Sequence, residues 1–156
     1  MFARVHRLPV IALIASSVFA LGACGDDPVG AEEEHSDPVG LVITLGGVDL
    51  VTVNGSTVTG TLTVEAGQET AHLDLEFLDE DGDRFSPTDA DEWLRVTIAD
   101  PTTATWEQDE PGEFGGHLQG RSVGVTVVTF DIMHGALNST AAHADYTSPD
   151  IPVVIN

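Results

Sequence analysis

The feature that most constrains this chain is the alternation at Leu73-Asp74-Leu75-Glu76-Phe77, where apolar and acidic residues take turns. A period of two puts one face of a strand in a core and the other in water. The same grammar recurs along the chain in short runs. Leu41-Val42-Ile43-Thr44-Leu45 stops at Gly46-Gly47, and Val48 to Val53 stops at Asn54-Gly55, a strong two-residue hairpin signal. Val58, Leu62 and Val64 continue with threonines between them. In Trp93 to Ile98, Leu94, Val96 and Ile98 fall on one side and Arg95 and Thr97 on the other. Thr103 to Trp106, Phe114 to Leu118, the long run Val123 to Met133, and Ile151 to Ile155 complete the pattern. Pro152, which has no amide donor, marks the last run as an edge strand. Helical periodicity is confined to a turn over Pro87 to Glu92, with Ser86 or Thr88 as cap and acids at its start. Eight or nine short strands therefore predict an all-β domain, a single immunoglobulin-like β-sandwich of Greek-key type over residues 39–156.

The region ahead of the domain is of another kind. Arg4 and Arg7 precede an apolar run, Leu8 to Ala20, broken only by Ser16 and Ser17. That run is shorter than the roughly 20 residues of a membrane span and suits the core of a secretory signal peptide. It ends in Leu21-Gly22-Ala23-Cys24, with the only cysteine of the chain. This segment resembles the lipobox of bacterial lipoproteins. The resemblance implies a signal peptide over 1–23, cleavage before Cys24, a diacylglycerol on its thiol, and anchoring at the cell envelope with the domain outside the cytoplasm. Residues 24–38 (Gly25-Asp26-Asp27-Pro28 onward) are acidic, poor in apolar side chains and interrupted by Pro28 and Gly30, and read as a solvated tether. With Cys24 given to lipid, no thiol remains for a disulfide, a zinc–thiolate site or a cysteine nucleophile.

Charge narrows the partners. The chain carries 26 acidic residues against five basic ones, for a net charge of −21. All the acids follow Cys24, where only Arg84, Arg95 and Arg121 oppose them. Such a polyanion is repelled by phosphate backbones, so no nucleic-acid partner is expected. Cations, or an envelope protein with a basic surface, are the partners the charge favours.

Two groups of residues carry candidate chemistry. Asp79, Asp81 and Asp83 surround Gly82 in an acidic turn that invites calcium. An EF-hand register fails, however, because it would place Phe77 and Thr88 where carboxylates are required. The histidines of the last third, His117, His134 and His143, with Asp145 and the tether's His35, offer imidazoles and a carboxylate to zinc or copper, and Met133 a soft ligand for reduced copper. Nine positions separate His134 from His143, so no HExxH or other fixed local geometry supports that set. Trp93, Trp106, Phe114 and Tyr146 either fill the core or line a ligand surface. Nothing in the chain matches a GxSxG elbow, a P-loop or a GxGxxG turn, and the sequence points away from an enzyme. The expectation is a lipid-anchored, non-catalytic envelope binding module, with a histidine metal site or a purely structural role as alternatives.

Overall fold

The computed structural model describes residues 37–156. The expected signal peptide, Cys24, His35 and the tether up to Ser36 lie outside the described residues. The strands are β1 (Gly40–Leu45), β2 (Val48–Asn54), β3 (Thr57–Gly60), β4 (Leu62–Val64), β5 (Leu73–Leu78), β6 (Arg84–Phe85), β7 (Glu92–Ile98), β8 (Ala104–Glu107), β9 (Gly115–Gly120), β10 (Gly124–His134), β11 (His143–Thr147) and β12 (Ile151–Ile155).

The all-β expectation holds, with twelve strands in two sheets among the described residues where the sequence predicts eight or nine. The seven-stranded sheet runs β3-β2-β1-β5-β9-β8, with β6 paired to the end of β5. In the five-stranded sheet β7 lies along one edge of β10. The other edge of β10 is shared: Gly124 to Val128 pair with β12, and Asp131 to His134 pair with β11. β12 then pairs in parallel with β4.

One core joins the sheets. Leu41, Ile43, Val51, Val53, Leu73, Leu75, Phe77 and Leu118 face Leu62, Leu94, Val128, Phe130, Ile132, Ile151, Val153 and Ile155, all fully or almost fully buried. At roughly 25 cal/mol per Å² of apolar surface removed from water, this packing is the main stabilising term in a domain without disulfides. Trp106, Phe114 and Tyr146 belong to it or pack against it. Trp106 stands edge-on to Phe130 with ring centres 5.2 Å apart, and Phe114 and Tyr146 both meet Phe77 edge-on at 5.7 Å.

Three expectations are corrected. The run Val58 to Val64 is two strands in different sheets. The switch occurs at Gly60, which has φ +101 and where a Cβ would lie 2.1 Å from the Leu50 carbonyl oxygen; only glycine fits. β12 is not an edge strand, since β10 and β4 flank it; Pro152 is tolerated because the β4 ladder begins one residue later, at Val153. Pro87 to Glu92 forms no helix; a tight turn, closed by Glu92 N–H to the Asp89 carbonyl at 3.1 Å, leads straight into β7. By contrast, the Gly46-Gly47 turn between β1 and β2 behaves as its sequence demands. Both residues have positive φ, +57 and +80, as a primed hairpin turn matching the strand twist requires.

Candidate metal centre

β10 ends at His134 and β11 begins at His143, and the two are direct cross-strand partners. The hairpin loop 135–142 therefore places side by side two histidines nine positions apart in sequence. Gly135 opens the loop at φ +106, and Asn138 takes φ 64 within it. The Ser139 amide donates to the Ala136 carbonyl at 2.9 Å, folding the loop on itself. The ladder slips between Ile132 and Met133, leaving Asp145 as the extra residue of β11 with no partner on β10. A bulge of this kind re-aims a side chain, and here the Asp145 carboxylate faces both rings. Oδ2 lies 3.5 Å from His134 Nδ1, and Oδ1 lies 3.2 Å from His143 Nε2. The ring centres are 5.4 Å apart and tilted by 51°. One ligand atom from each of His134, His143 and Asp145 lies within 4.8 Å of the others.

A fourth residue, Asp91, which the sequence offers only to the acidic turn, joins them here. His134 Nε2–H donates to Asp91 Oδ2 at 2.9 Å. The turn carrying Asp91 is fastened to the hairpin by Gly135 N–H to the Asp91 carbonyl at 2.9 Å. The Trp93 indole N–H adds a bond to the Gly135 carbonyl at 2.8 Å. Because a carboxylate can only accept, the Asp91 bond fixes the ring's proton on Nε2 and aims the Nδ1 lone pair at Asp145. Lone pair and carboxylate repel unless a proton or a metal ion sits between them. A carboxylate holding the far nitrogen of an imidazole is also the usual outer support of a metal-bound histidine.

The chemistry available is that of two imidazoles and one carboxylate. Tetrahedral bonds of about 2.0–2.1 Å put neighbouring ligand atoms about 3.3 Å apart, close to the Asp145 contacts observed. Nitrogen donors select zinc or copper over calcium and magnesium. A pocket of about 220 Å³ opens beside the group, lined by Phe85, Glu92, Ile132, His134 and Asp145 among others. It leaves His134 and Asp145 accessible from solvent.

The other sequence candidates fall elsewhere. His117, in β9 of the seven-stranded sheet, does not join His134 and His143; it stands with His72 and Asp109. Its basicity is raised, chiefly by the Thr70 carbonyl and then by Asp109. Met133 is buried, between Ala144 on β11 and Trp93 on β7. Asp79 uses Oδ1 inside its own turn, accepting from the amides of Asp81 at 3.0 Å and Asp83 at 2.9 Å, while Gly82 turns the chain at φ +83. Asp79, Asp81 and Asp83 are in neither group of convergent ligand atoms among the described residues.

No family model and no curated protein matches the chain. Among solved structures, the fold is similar to the crystal structure of the S-layer protein SbsC domains 4 and 5. The TM-score is 0.42 and the identity 19% over 76% of this chain, which spans 53% of that one, about half its length. A likeness this loose carries no functional weight, and the chemistry rests on the residues above.

Proposed function

We propose that this chain is a lipid-anchored, non-catalytic protein of the cell envelope that binds a divalent transition metal, zinc or copper, through His134, His143 and Asp145. The observation that carries the reading is the aim of His134 Nδ1 at Asp145 with its other nitrogen bonded to Asp91. This half-built coordination sphere is completed by His143 on the paired strand. The acidic surface supports it by concentrating cations near the site. The immunoglobulin-like reading of the sandwich belongs with this proposal, supported by the crossover that lays β4 parallel to β12 among otherwise antiparallel strands.

Zinc or copper should raise the melting temperature of the purified protein at pH 7.5. A free metal concentration of 100 times Kd stabilises a site by about 2.7 kcal/mol, roughly 10 °C for a domain of this size. The His134→Ala/His143→Ala variant should lose one equivalent of bound metal and the matching part of that rise. A variant that binds metal and melts just as the unaltered protein does would end the reading.

The anchor has its own test. Cys24→Ser removes the thiol to which lipid attaches and should move the protein from the membrane pellet to the soluble fraction of its native host, with loss of fatty-acid labelling. An unaltered protein that carries a free sulfhydryl would overturn the anchor.

A further inference from the structure

We propose that His72, Asp109 and His117 form a second site for a divalent transition metal of the zinc class, on the seven-stranded sheet and independent of the His134–His143 centre. The strand register creates it. Leu73 pairs with Gly116, so His72, one residue earlier, comes opposite His117, one residue later. On the other edge of β9, Glu107 pairs with His117, and the loop just beyond it carries Asp109. Three neighbouring chain segments, far apart in sequence, thus deliver two imidazoles and one carboxylate to one point.

The spacing is that of a coordination sphere. Asp109 Oδ2 lies 3.2 Å from His72 Nδ1 and 3.4 Å from His117 Nε2, and the two rings stand edge to face with centres 5.3 Å apart. One ligand atom from each residue lies within 4.8 Å of the others. A metal with bonds of about 2.0–2.1 Å needs ligand atoms about 3.3 Å apart, so small ring rotations suffice.

The surroundings fix the ligands in advance. His117 Nδ1–H donates to the Thr70 carbonyl at 2.9 Å, which leaves Nε2 as the nitrogen with the lone pair, facing Asp109. Thr70 is itself held on β9 twice: its amide donates to the Leu118 carbonyl and its hydroxyl accepts from the Leu118 amide, both at 3.0 Å. His72 Nε2 faces Asp74 Oδ1 at 3.7 Å, so its Nδ1 is turned toward Asp109. The Asp109 amide donates to Glu113 Oε1, which closes the loop that carries the carboxylate. Gly115 supplies the room: a Cβ there would lie 2.5 Å from His72 Nε2. A backbone carbonyl on the far nitrogen, as Thr70 is to His117, is an outer contact that orients metal-bound histidines. A zinc ion between His117 Nε2 and Asp109 Oδ2, which lie 3.4 Å apart, would be bonded to both.

Zinc stoichiometry and affinity, measured by calorimetry on the purified full chain at pH 7.5, decide the matter. The unaltered protein should bind two equivalents, and His134→Ala/His143→Ala should keep one. His72→Gln and Asp109→Asn alter partly or largely exposed side chains, so the fold survives, as the metal-free melting curve will verify. Each should keep the first equivalent and weaken the second by at least about 100-fold. The imidazole resonances of His72 and His117 should shift on zinc addition in the His134→Ala/His143→Ala background. A single equivalent removed by His134→Ala/His143→Ala and untouched by His72→Gln and Asp109→Asn would overturn the second site while leaving the first intact. A single equivalent removed by His72→Gln and untouched by the alanine pair would support the second site and overturn the first.

Discussion

Replacing Phe77 with alanine should cost about 3–5 kcal/mol of unfolding free energy, seen as a lower urea midpoint at unchanged slope. Phe77 has no exposed surface and belongs to β5 in the middle of the seven-stranded sheet. Its ring meets Phe114 edge-on at 5.7 Å, Phe85 at 6.2 Å, and, from the other sheet, Tyr146 at 5.7 Å. Removing it therefore deletes transfer energy, opens a cavity between the sheets, and strips three aromatic contacts worth about 0.5–1.5 kcal/mol each. Phe77→Leu, which keeps most of the volume, should cost less than about 1.5 kcal/mol. The truncation should also reach the candidate metal centre, because Tyr146 follows Asp145 in β11. Burial of that phenol, which pushes its pKa up to about 12, depends on the same packing. In Phe77→Ala the tyrosine should therefore ionise at lower pH than in the unaltered protein, as an ultraviolet titration will read. An alanine variant with a wild-type urea midpoint would show that the two sheets do not share one core.

How much of this was legible follows from where the signal resides. β1, β2, β5, β7 and β10 announce themselves because each carries several core residues at alternate or consecutive positions, and burial of one face imposes that pattern. β11 was invisible because only Tyr146 of its residues is buried; an exposed strand paired on one side has no need of an apolar run. β6, two residues long, has no period at all. The break at Gly60 was hidden for a different reason. Threonine and valine suit a strand on either side of it, and only the approach of the Leu50 carbonyl reveals that the chain changes sheets.

The candidate site shows the same division. His134, His143 and Asp145 were readable as residue types, but their convergence is a property of hairpin register and a bulge, which no local spacing encodes. Asp91 lies 43 positions from His134 and reaches it only through the fastening of its turn to Gly135. His72 directly precedes β5 and Asp109 is one of 26 acids, and nothing local singles either out. What could have found them is the pairing of β5, β9 and β8, a tertiary fact. His117, expected with His134 and His143, stands instead with His72 and Asp109, because position along the chain does not say which sheet a strand joins.

Arg95→Met should destabilise the domain by about 2–4 kcal/mol, far more than an exposed arginine ordinarily contributes. The reason lies with its partner. Asp131, in the middle of β10, is only 3% exposed. Its carboxylate accepts from Arg95 Nε at 2.8 Å on β7 and from the Thr147 hydroxyl at 2.6 Å on β11, its direct neighbours in register on either side. Arg95 is half exposed, so losing its own charge is cheap; leaving Asp131 ionised and buried with one hydroxyl is not. The value sits somewhat below the 3–5 kcal/mol of a fully buried pair because solvent reaches the arginine side. Adding Asp131→Asn removes the stranded charge, and the double variant should return to within about 1 kcal/mol of the unaltered protein. That non-additivity is what separates charge pairing from loss of the arginine's packing, since a packing loss would persist in the double variant. A single variant with an unchanged urea midpoint would mean that water, rather than Arg95, satisfies Asp131. The three-strand ladder Arg95–Asp131–Thr147 would then be a surface contact of no energetic consequence.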